Sequence, residues 1–369
     1  MKLRRAWWLA MLAACDGSSA PGPAEAPPLL PIMGADISSL GPIEAAGATF
    51  QDGGQAGDAI AIFRAKGHNT FRLRLFVDPS QTEVEVNDLD YTIALASRIK
   101  ASGAKFLLDL HYSDTWADPG HQTPPAAWAQ LSFDSLENRV ESYTSEVVGA
   151  LRMAGAAPDI VQIGNEIDGG MLWPLGQVGG SSDTPEQWDR LTRLLKAGIR
   201  GVKAGLSPGD PVRIMLHYSQ GGSASGTAWF FDHIEAHDVP YDLIGLSYYP
   251  WWHGSIAGLE ANLEATALRY DRDILLTEMS YPWRAGGWEG MATYRWAMTW
   301  PISAKGQGRF LGDVMKVVAA TPGNHGVGVL WWYPEAIEVP GLFIFGGGSL
   351  ALFDQAGNLL PAASLFDAD

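Results

Sequence analysis

Cysteine is all but missing from this chain: one, at position 15, among 369 residues. An internal disulfide is therefore excluded, and so is a thiolate metal cluster. Positive charge is scarce as well. Lys and Arg number 25 against 41 Asp and Glu, a formal net charge of −16. That balance argues against nucleic acid and against a polybasic grip on anionic lipid; it fits a neutral substrate. Charged residues are only 18% of the chain and hydrophobic ones 47%, which excludes a disordered or fibrous polymer. The sequence has no HExxH and no dense His/Asp/Glu triplet, so a catalytic metal is not expected. What the chain has in quantity is aromatic: 15 Trp and 11 Tyr. Core filling accounts for part of them. The excess suits sugar binding, in which flat rings stack on pyranose faces.

The first residues are a separate problem from the rest. Lys2, Arg4 and Arg5 form a positive start, and residues 6–14 form an apolar stretch too short to span a bilayer. The tetrapeptide Leu12-Ala13-Ala14-Cys15 resembles a bacterial lipobox, in which the cysteine becomes the lipidated N-terminus. The reading is a lipoprotein signal peptide over 1–14, then a Pro/Gly/Ser/Ala-rich flexible tether over 15–30, with Cys15 as the lipidation site. The protein is then exported and held to a membrane, periplasmic or at the cell surface, through that anchor alone.

From residue 31 to 369 the pattern is that of a single domain. Short, mostly continuous apolar runs occur at 31–36, 69–77, 104–111, 159–165, 212–217, 242–249, 273–278 and 326–332. Continuous Val/Ile/Leu is expected of strands buried on both faces of a parallel sheet. Helical patterns fall between most of them, at 56–66, 89–102, 134–154, 185–204 and 307–320, with Asp134 as an N-cap. Gly67, Gly103 and Gly205 stand where helix C-caps take positive φ. Eight strands alternating with helices over this length predict a (β/α)8 TIM barrel. An open doubly wound sheet is the alternative, weakened because no dinucleotide glycine fingerprint follows the first strand. The Gly-rich stretch after 340 is expected to close the barrel.

In a barrel, chemistry sits at the C-terminal ends of the strands. Those ends carry Asp36, Arg72 and Arg74, His111, Asn165 and Glu166, His217, Tyr249, Glu278 and Trp332. Glu166 ends the fourth apolar run and Glu278 the seventh, on opposite sides of the mouth. Two facing carboxylates are what glycoside hydrolysis requires, one to protonate the leaving oxygen and one to attack carbon or activate water. Arg72 and Arg74 share one face of a strand, so in the barrel interior their charges need partners.

Seven motifs in order extend this reading. They are GADISSL (34–40), HNTFRLRLFVDP (68–79), LLDLHYSDTWADPGHQTPPAAW (107–128), IVQIGNEIDGGMLWP (160–174), LIGLSYYPWW (243–252), LLTEMSYPW (275–283) and GVLWWYPEA (328–336). Together they resemble glycoside hydrolase family 53, the arabinogalactan endo-β-1,4-galactanases. The resemblance implies a retaining hydrolase of β-1,4-galactan with Glu166 as acid/base and Glu278 as nucleophile, and no cofactor. It implies that Asn165 binds the sugar 2-hydroxyl and that Trp332 stacks at the floor. Arg72, Arg74, His111, His217 and Tyr249 would support the site or touch sugar, and Asp114, Trp116 and Asp118 would line the groove. Some relatives stabilise the loop after the seventh strand with calcium or a disulfide. Here that loop has one acid, Glu289, and carries Trp288, Trp296 and Trp300, so aromatic packing is expected instead. A monomer acting on a polysaccharide is the resulting picture. The alternatives are another retaining β-glycanase such as a mannanase or xylanase, or a non-catalytic glycan-binding lipoprotein.

Overall fold

The computed structural model describes residues 27–286 and 298–367. The signal, Cys15 and most of the tether lie outside the described residues, as do Trp288, Glu289 and Trp296. Among the described residues no helix is long and apolar enough to cross a membrane.

Eight parallel strands close into a barrel: β1 (Ile32–Asp36), β2 (Thr70–Leu75), β3 (Lys105–Leu110), β4 (Ile160–Ile163), β5 (Arg213–Tyr218), β6 (Leu243–Tyr248), β7 (Asp273–Met279) and β8 (Gly326–Trp332). Each matches an expected apolar run, and β8 returns to pair with β1. The helices are α1 (Leu40–Ala45), α2 (Ala59–Ala65), α3 (Leu89–Ala101), α4 (Phe133–Met153), α5 (Pro185–Gly205), α6 (Ala224–Ala236), α7 (Pro250–His253), α8 (Ile256–Tyr270) and α9 (Ala304–Ala319). Every one longer than six residues starts on a Ser, Thr or Asp whose side chain accepts a first-turn N–H. The cap of α4 is Ser132, not Asp134, which sits inside the first turn. Helices α6 and α8 have no counterpart among the expected ones. The run Trp229-Phe230-Phe231 blurs the 3.6-residue period of α6, and α8 is apolar on more than one face.

Gly67 and Gly103 take positive φ as expected, but Gly205 does not. It is helical, and its lack of a side chain serves packing. A Cβ there would lie 2.8 Å from the Ser145 carbonyl of α4, and one at Gly201 would lie 2.4 Å from the Glu141 carbonyl. The stretch after 340 does not close the barrel, which β8 has already closed on β1; its last residues pack outside the sheet, where a short 3-10 turn at Pro361–Phe366 lies on α9 and the Phe366 ring sits 4.2 Å from that of His68, just before β2.

Inside the barrel the strands change character along their length. Ile32, Leu107, Ile160, Met215, Leu243, Leu275, Val327 and Leu330 form a separate apolar cluster. Two residues further along, β3, β4 and β5 present Asp109, Gln162 and His217 instead, and β2, which has no residue in the cluster, adds Arg72. The apolar plug thus supports a buried polar layer, which opens into the mouth.

Candidate active site

Local backbone devices aim the two glutamates. Strand β7 holds an extra residue opposite β6: Leu246 pairs with Leu276, but Ser247 pairs with Glu278. Thr277 donates to the Met215 sulfur inside the barrel. The bulge brings Glu278 to the mouth, where strict alternation would turn it outward. Glu166 follows Gly164 (φ 78°) and Asn165 after β4, and its own φ is 45°. That left-handed conformation is uncommon for a residue with a Cβ, and strain of this kind concentrates at functional sites.

Arg72 organises the floor. Its Nη1 donates to Asp36 Oδ2 at 2.7 Å and lies 2.8 Å from Glu278 Oε1 as an ion pair. Its Nη2 donates to Asp109 Oδ2 at 2.8 Å and to Asn165 Oδ1 at 2.7 Å. Its Nε donates to Gln162 Oε1 at 3.1 Å. All three nitrogens of the guanidinium are engaged. Tyr249 donates its hydroxyl to Glu278 Oε2 at 2.9 Å. His111 accepts the Ala117 N–H at Nδ1, so its proton is on Nε2, 3.0 Å from Asp109 Oδ2.

Glu166 has a different environment. Ser247 donates to its Oε1 at 2.7 Å, and no ion pair reaches it among the described residues. Burial pushes its carboxyl well above the usual range, and the nearby Glu278 charge adds to this. Glu278 is also pushed up by burial, but the Arg72 guanidinium and the Tyr249 hydroxyl oppose the shift. Of the two, Glu166 therefore takes the proton and Glu278 holds the charge.

Arg72, His111, Asn165, Glu166, Tyr249 and Glu278 line one cavity of about 760 Å³, together with Asp36, Arg74, Trp116, Asp118, Trp252, Trp332 and Phe343. Trp332 stacks on Tyr333, ring centroids 3.8 Å apart, and meets Tyr249 edge-on. Arg74 does not reach Glu278. It donates to Ser39 Oγ and to the Val84 carbonyl, and its guanidinium lies 4.1 Å above the Trp116 ring. Asp118 stands at the rim, accepting from Gly120 N and His121 Nδ1. Asp114 is a correction: it does not line the cavity. Its carboxylate accepts the Asp78 and Ala126 N–H groups, and so ties two loops together. His217 is fully buried behind Ser247 and also stays outside the cavity lining. Asn165 spends its Oδ1 on Arg72 and one Nδ2 hydrogen on the Ala117 carbonyl, which leaves one N–H for a ligand.

Several working residues escaped the sequence reading. Asp109 and Gln162 were visible as polar breaks in apolar runs. Ser247 and Asp168 gave no such signal. Asp168 accepts from the Ser219 N–H and hydroxyl at 2.7 and 2.6 Å, which fixes the loop after β5, and burial raises its carboxyl to about 6. Among the described residues, no group of three His, Cys, Asp or Glu could hold a metal ion. Trp300, the described member of the loop aromatics, donates to Asp313 Oδ2 at 2.9 Å and meets Tyr281 and Phe310 edge-on.

Comparison with known proteins places this arrangement. The sequence model for glycosyl hydrolase family 53 matches residues 32–366. A protein named as a probable arabinogalactan endo-β-1,4-galactanase A, from Aspergillus terreus, is 37% identical over 330 residues; the match covers 85% of this chain and 90% of that one. The solved family 53 catalytic domain from Ignisphaera aggregans superposes with a TM-score of 0.83 at 32% identity, over 92% of this chain and 96% of that one. A fungal β-1,4-galactanase structure gives a TM-score of 0.79 at 31% identity, over 91% and 99%.

Proposed function

The chain belongs to glycosyl hydrolase family 53 and is a glycoside hydrolase, and from that premise we propose that it cuts β-1,4-galactan internally, with retention, through Glu166 and Glu278. The observation that carries this reading is the unequal treatment of the two carboxyls. Glu278 has a guanidinium at 2.8 Å and a phenol at 2.9 Å. Glu166 has, among the described residues, only a serine hydroxyl on its carboxyl and is pushed up by burial. One is kept charged to attack; the other is kept protonated to donate.

In the first step Glu278 Oε attacks the anomeric carbon and Glu166 gives its proton to the departing oxygen. The glycosyl ester removes the Glu278 charge, so the Glu166 carboxyl acidifies and can take a proton from water. Water then attacks the same carbon, Glu278 leaves, and Glu166 is protonated again. A separation near 5–5.5 Å between the carboxyls is expected for this double displacement. The free Asn165 N–H is suited to the sugar 2-hydroxyl, and Trp332 to a pyranose face.

The direct test is turnover of linear β-1,4-galactan beside mannan and xylan, with proton NMR of the first products. Galactan fragments should appear first as the β anomer. Mannan or xylan as the better substrate, or an α anomer first, would overturn the assignment.

We further infer that Cys15 carries lipid and that residues 16–30 tether the barrel near a membrane after export. The motif and the linker composition support this. Cys15→Ala should move the enzyme to the soluble fraction or stall its processing, with specific activity unchanged. A wild-type protein found soluble and starting elsewhere would make the segment an ordinary secretory signal.

A further inference from the structure

Behind Glu166 runs a chain of hydrogen bonds whose direction can be worked out. Ser247 Oγ lies 2.7 Å from Glu166 Oε1 and 2.9 Å from His217 Nε2. His217 Nδ1 lies between two groups of opposite kind, Gln162 Nε2 at 3.1 Å and Asn165 Oδ1 at 3.0 Å. The first is a donor and the second an acceptor, so the inner end tolerates either neutral tautomer.

Arg72 fixes that inner end. Its Nε donates to Gln162 Oε1, which turns the amide so that Nε2 faces Asp109 and His217. One Gln162 hydrogen goes to Asp109 Oδ1 at 2.7 Å; the other is shared among the Gly164 carbonyl and Asn165 Oδ1, each at 3.0 Å, and Nδ1 at 3.1 Å. The outer end decides the tautomer. When Glu166 is ionised it can only accept, so Ser247 must donate to it. The serine oxygen must then accept from His217, which puts the ring proton on Nε2 and leaves a lone pair at Nδ1 for Gln162. Reversing the chain would need a proton to leave or arrive at Nδ1. Neither an amide nitrogen nor an amide oxygen takes one up readily, and the ring is fully buried. The tautomer set in one half-reaction therefore persists through the other.

We propose that Gln162, His217 and Ser247 form a hydrogen-bond chain of fixed direction that keeps Glu166 Oε1 as an acceptor and confines the acid proton to Oε2, the oxygen left free for the substrate. Ser247 and His217 are positioning residues, acting through Glu166. The inference rests on Glu166 being the acid/base. His217 is held well below its ordinary range by burial and by the Arg72 charge, so it remains neutral, as the chain requires. The ionisable and charged groups around this chain are Glu278 and Tyr249 near the carboxyl, Asp168 on its own loop, Arg72, His111 and His253 near the ring, and Asp109 against Gln162.

The test has three readouts. Ring ¹⁵N shifts of wild-type enzyme should show His217 protonated on Nε2 across the whole titration of Glu166; a proton on Nδ1, or an imidazolium, overturns the proposal. Ser247→Ala should lower kcat/KM on galactan by about 10- to 100-fold, the range for a hydrogen bond to a charged group. It should spare a galactoside with an activated aryl leaving group, and move the basic limb of the galactan profile to higher pH, because a donor to the carboxylate is gone. Equal losses on both substrates, or an unmoved limb, would mean a structural serine only. Ser247→Thr, which keeps the hydroxyl, should recover the limb. Glu166→Gln on the same two substrates separates the premises. If it fails to discriminate by leaving group, the acid assignment falls, whereas the ¹⁵N result judges the chain by itself.

Discussion

Arg72 holds Glu278 and Asp36 with the same terminal nitrogen, at 2.8 and 2.7 Å. The Glu278 carboxylate is thereby tied to the polar layer of the barrel and not merely placed at its rim. With Asp109, Asn165 and Gln162 on the remaining N–H groups, the guanidinium is the hub through which five strands and loops share one geometry.

Arg72→Lys should therefore be far from conservative. An ammonium offers three donors and no planar fork, so at least two of Asp36, Asp109, Gln162, Asn165 and Glu278 lose their partner. Thermal unfolding should show a loss of about 3–5 kcal/mol, the range for breaking a buried pair. Galactan turnover should fall with it. A variant within 1 kcal/mol of wild type, by the same calibration, would mean the hub is dispensable.

Glu278→Ala should abolish hydrolysis, by about 10⁴-fold or more if it is the nucleophile. The group is buried against Arg72, so some loss of stability is expected too, unlike for a solvent-facing side chain. Azide should fit the vacated space and, with an activated galactoside, give the α-galactosyl azide. Retention of a tenth of the wild-type rate would rule out the nucleophile role.

Glu166→Gln should divide substrates by leaving group. Galactan needs the proton and should be turned over at least about 10²-fold more slowly, the usual contribution of general acid catalysis. An activated aryl galactoside needs none for the first step and should lose far less. Measuring both with one enzyme preparation decides it.

The barrel was legible because its strands are buried on both faces and so read as unbroken apolar runs. The ends of those runs pointed to Glu166, Glu278, Arg72 and Tyr249, since a polar residue closing an apolar strand is conspicuous. Ser247 was not legible. It is a small residue inside LIGLSYY, and its importance lies wholly in what it touches. Asp114 misled for the opposite reason: it stands in the most distinctive motif of the chain, yet it braces loops. Thr277 is a third case. Period-2 alternation from Leu275 points Thr277 inward and Glu278 outward, and only the bulge against β6 reconciles the pattern with the carboxylate's position.

Tyr249→Phe isolates one support of the Glu278 carboxylate. The hydroxyl donates to Glu278 Oε2 and lowers its pKa. Without it the carboxyl protonates at higher pH, so the acid limb of kcat/KM should move up by about 1 unit, the equivalent of one charge-assisted hydrogen bond. The basic limb, which the proposed acid/base role gives to Glu166, should move less. A pH profile superimposable on wild type would mean that Arg72 alone sets the ionisation of Glu278.

Glu335 gives a prediction about stability, separate from chemistry. It lies in the loop after β8, fully buried, with Oε1 accepting the Ser39 N–H at 3.0 Å and Oε2 left without a hydrogen bond. Burial raises its carboxyl from the ordinary 4.5 to about 8. The sign follows from proton counting. Below 4.5 the group is protonated whether the chain is folded or not, and its contribution is fully present. Between 4.5 and 8 the unfolded chain releases the proton and the folded chain keeps it, so this contribution is lost as pH rises; above 8 the loss is complete. Glu335→Gln keeps the shape and an acceptor but cannot ionise. The melting temperature of the variant relative to wild type should therefore climb from pH 4.5 to pH 8 and then level off. The full span should be worth on the order of a few kcal/mol. Calorimetry of both proteins over that range tests it, because every other titrating group is common to the pair. Two curves that stay parallel would show that Glu335 is already ionised in the folded protein, paired with the neighbouring Arg74 charge.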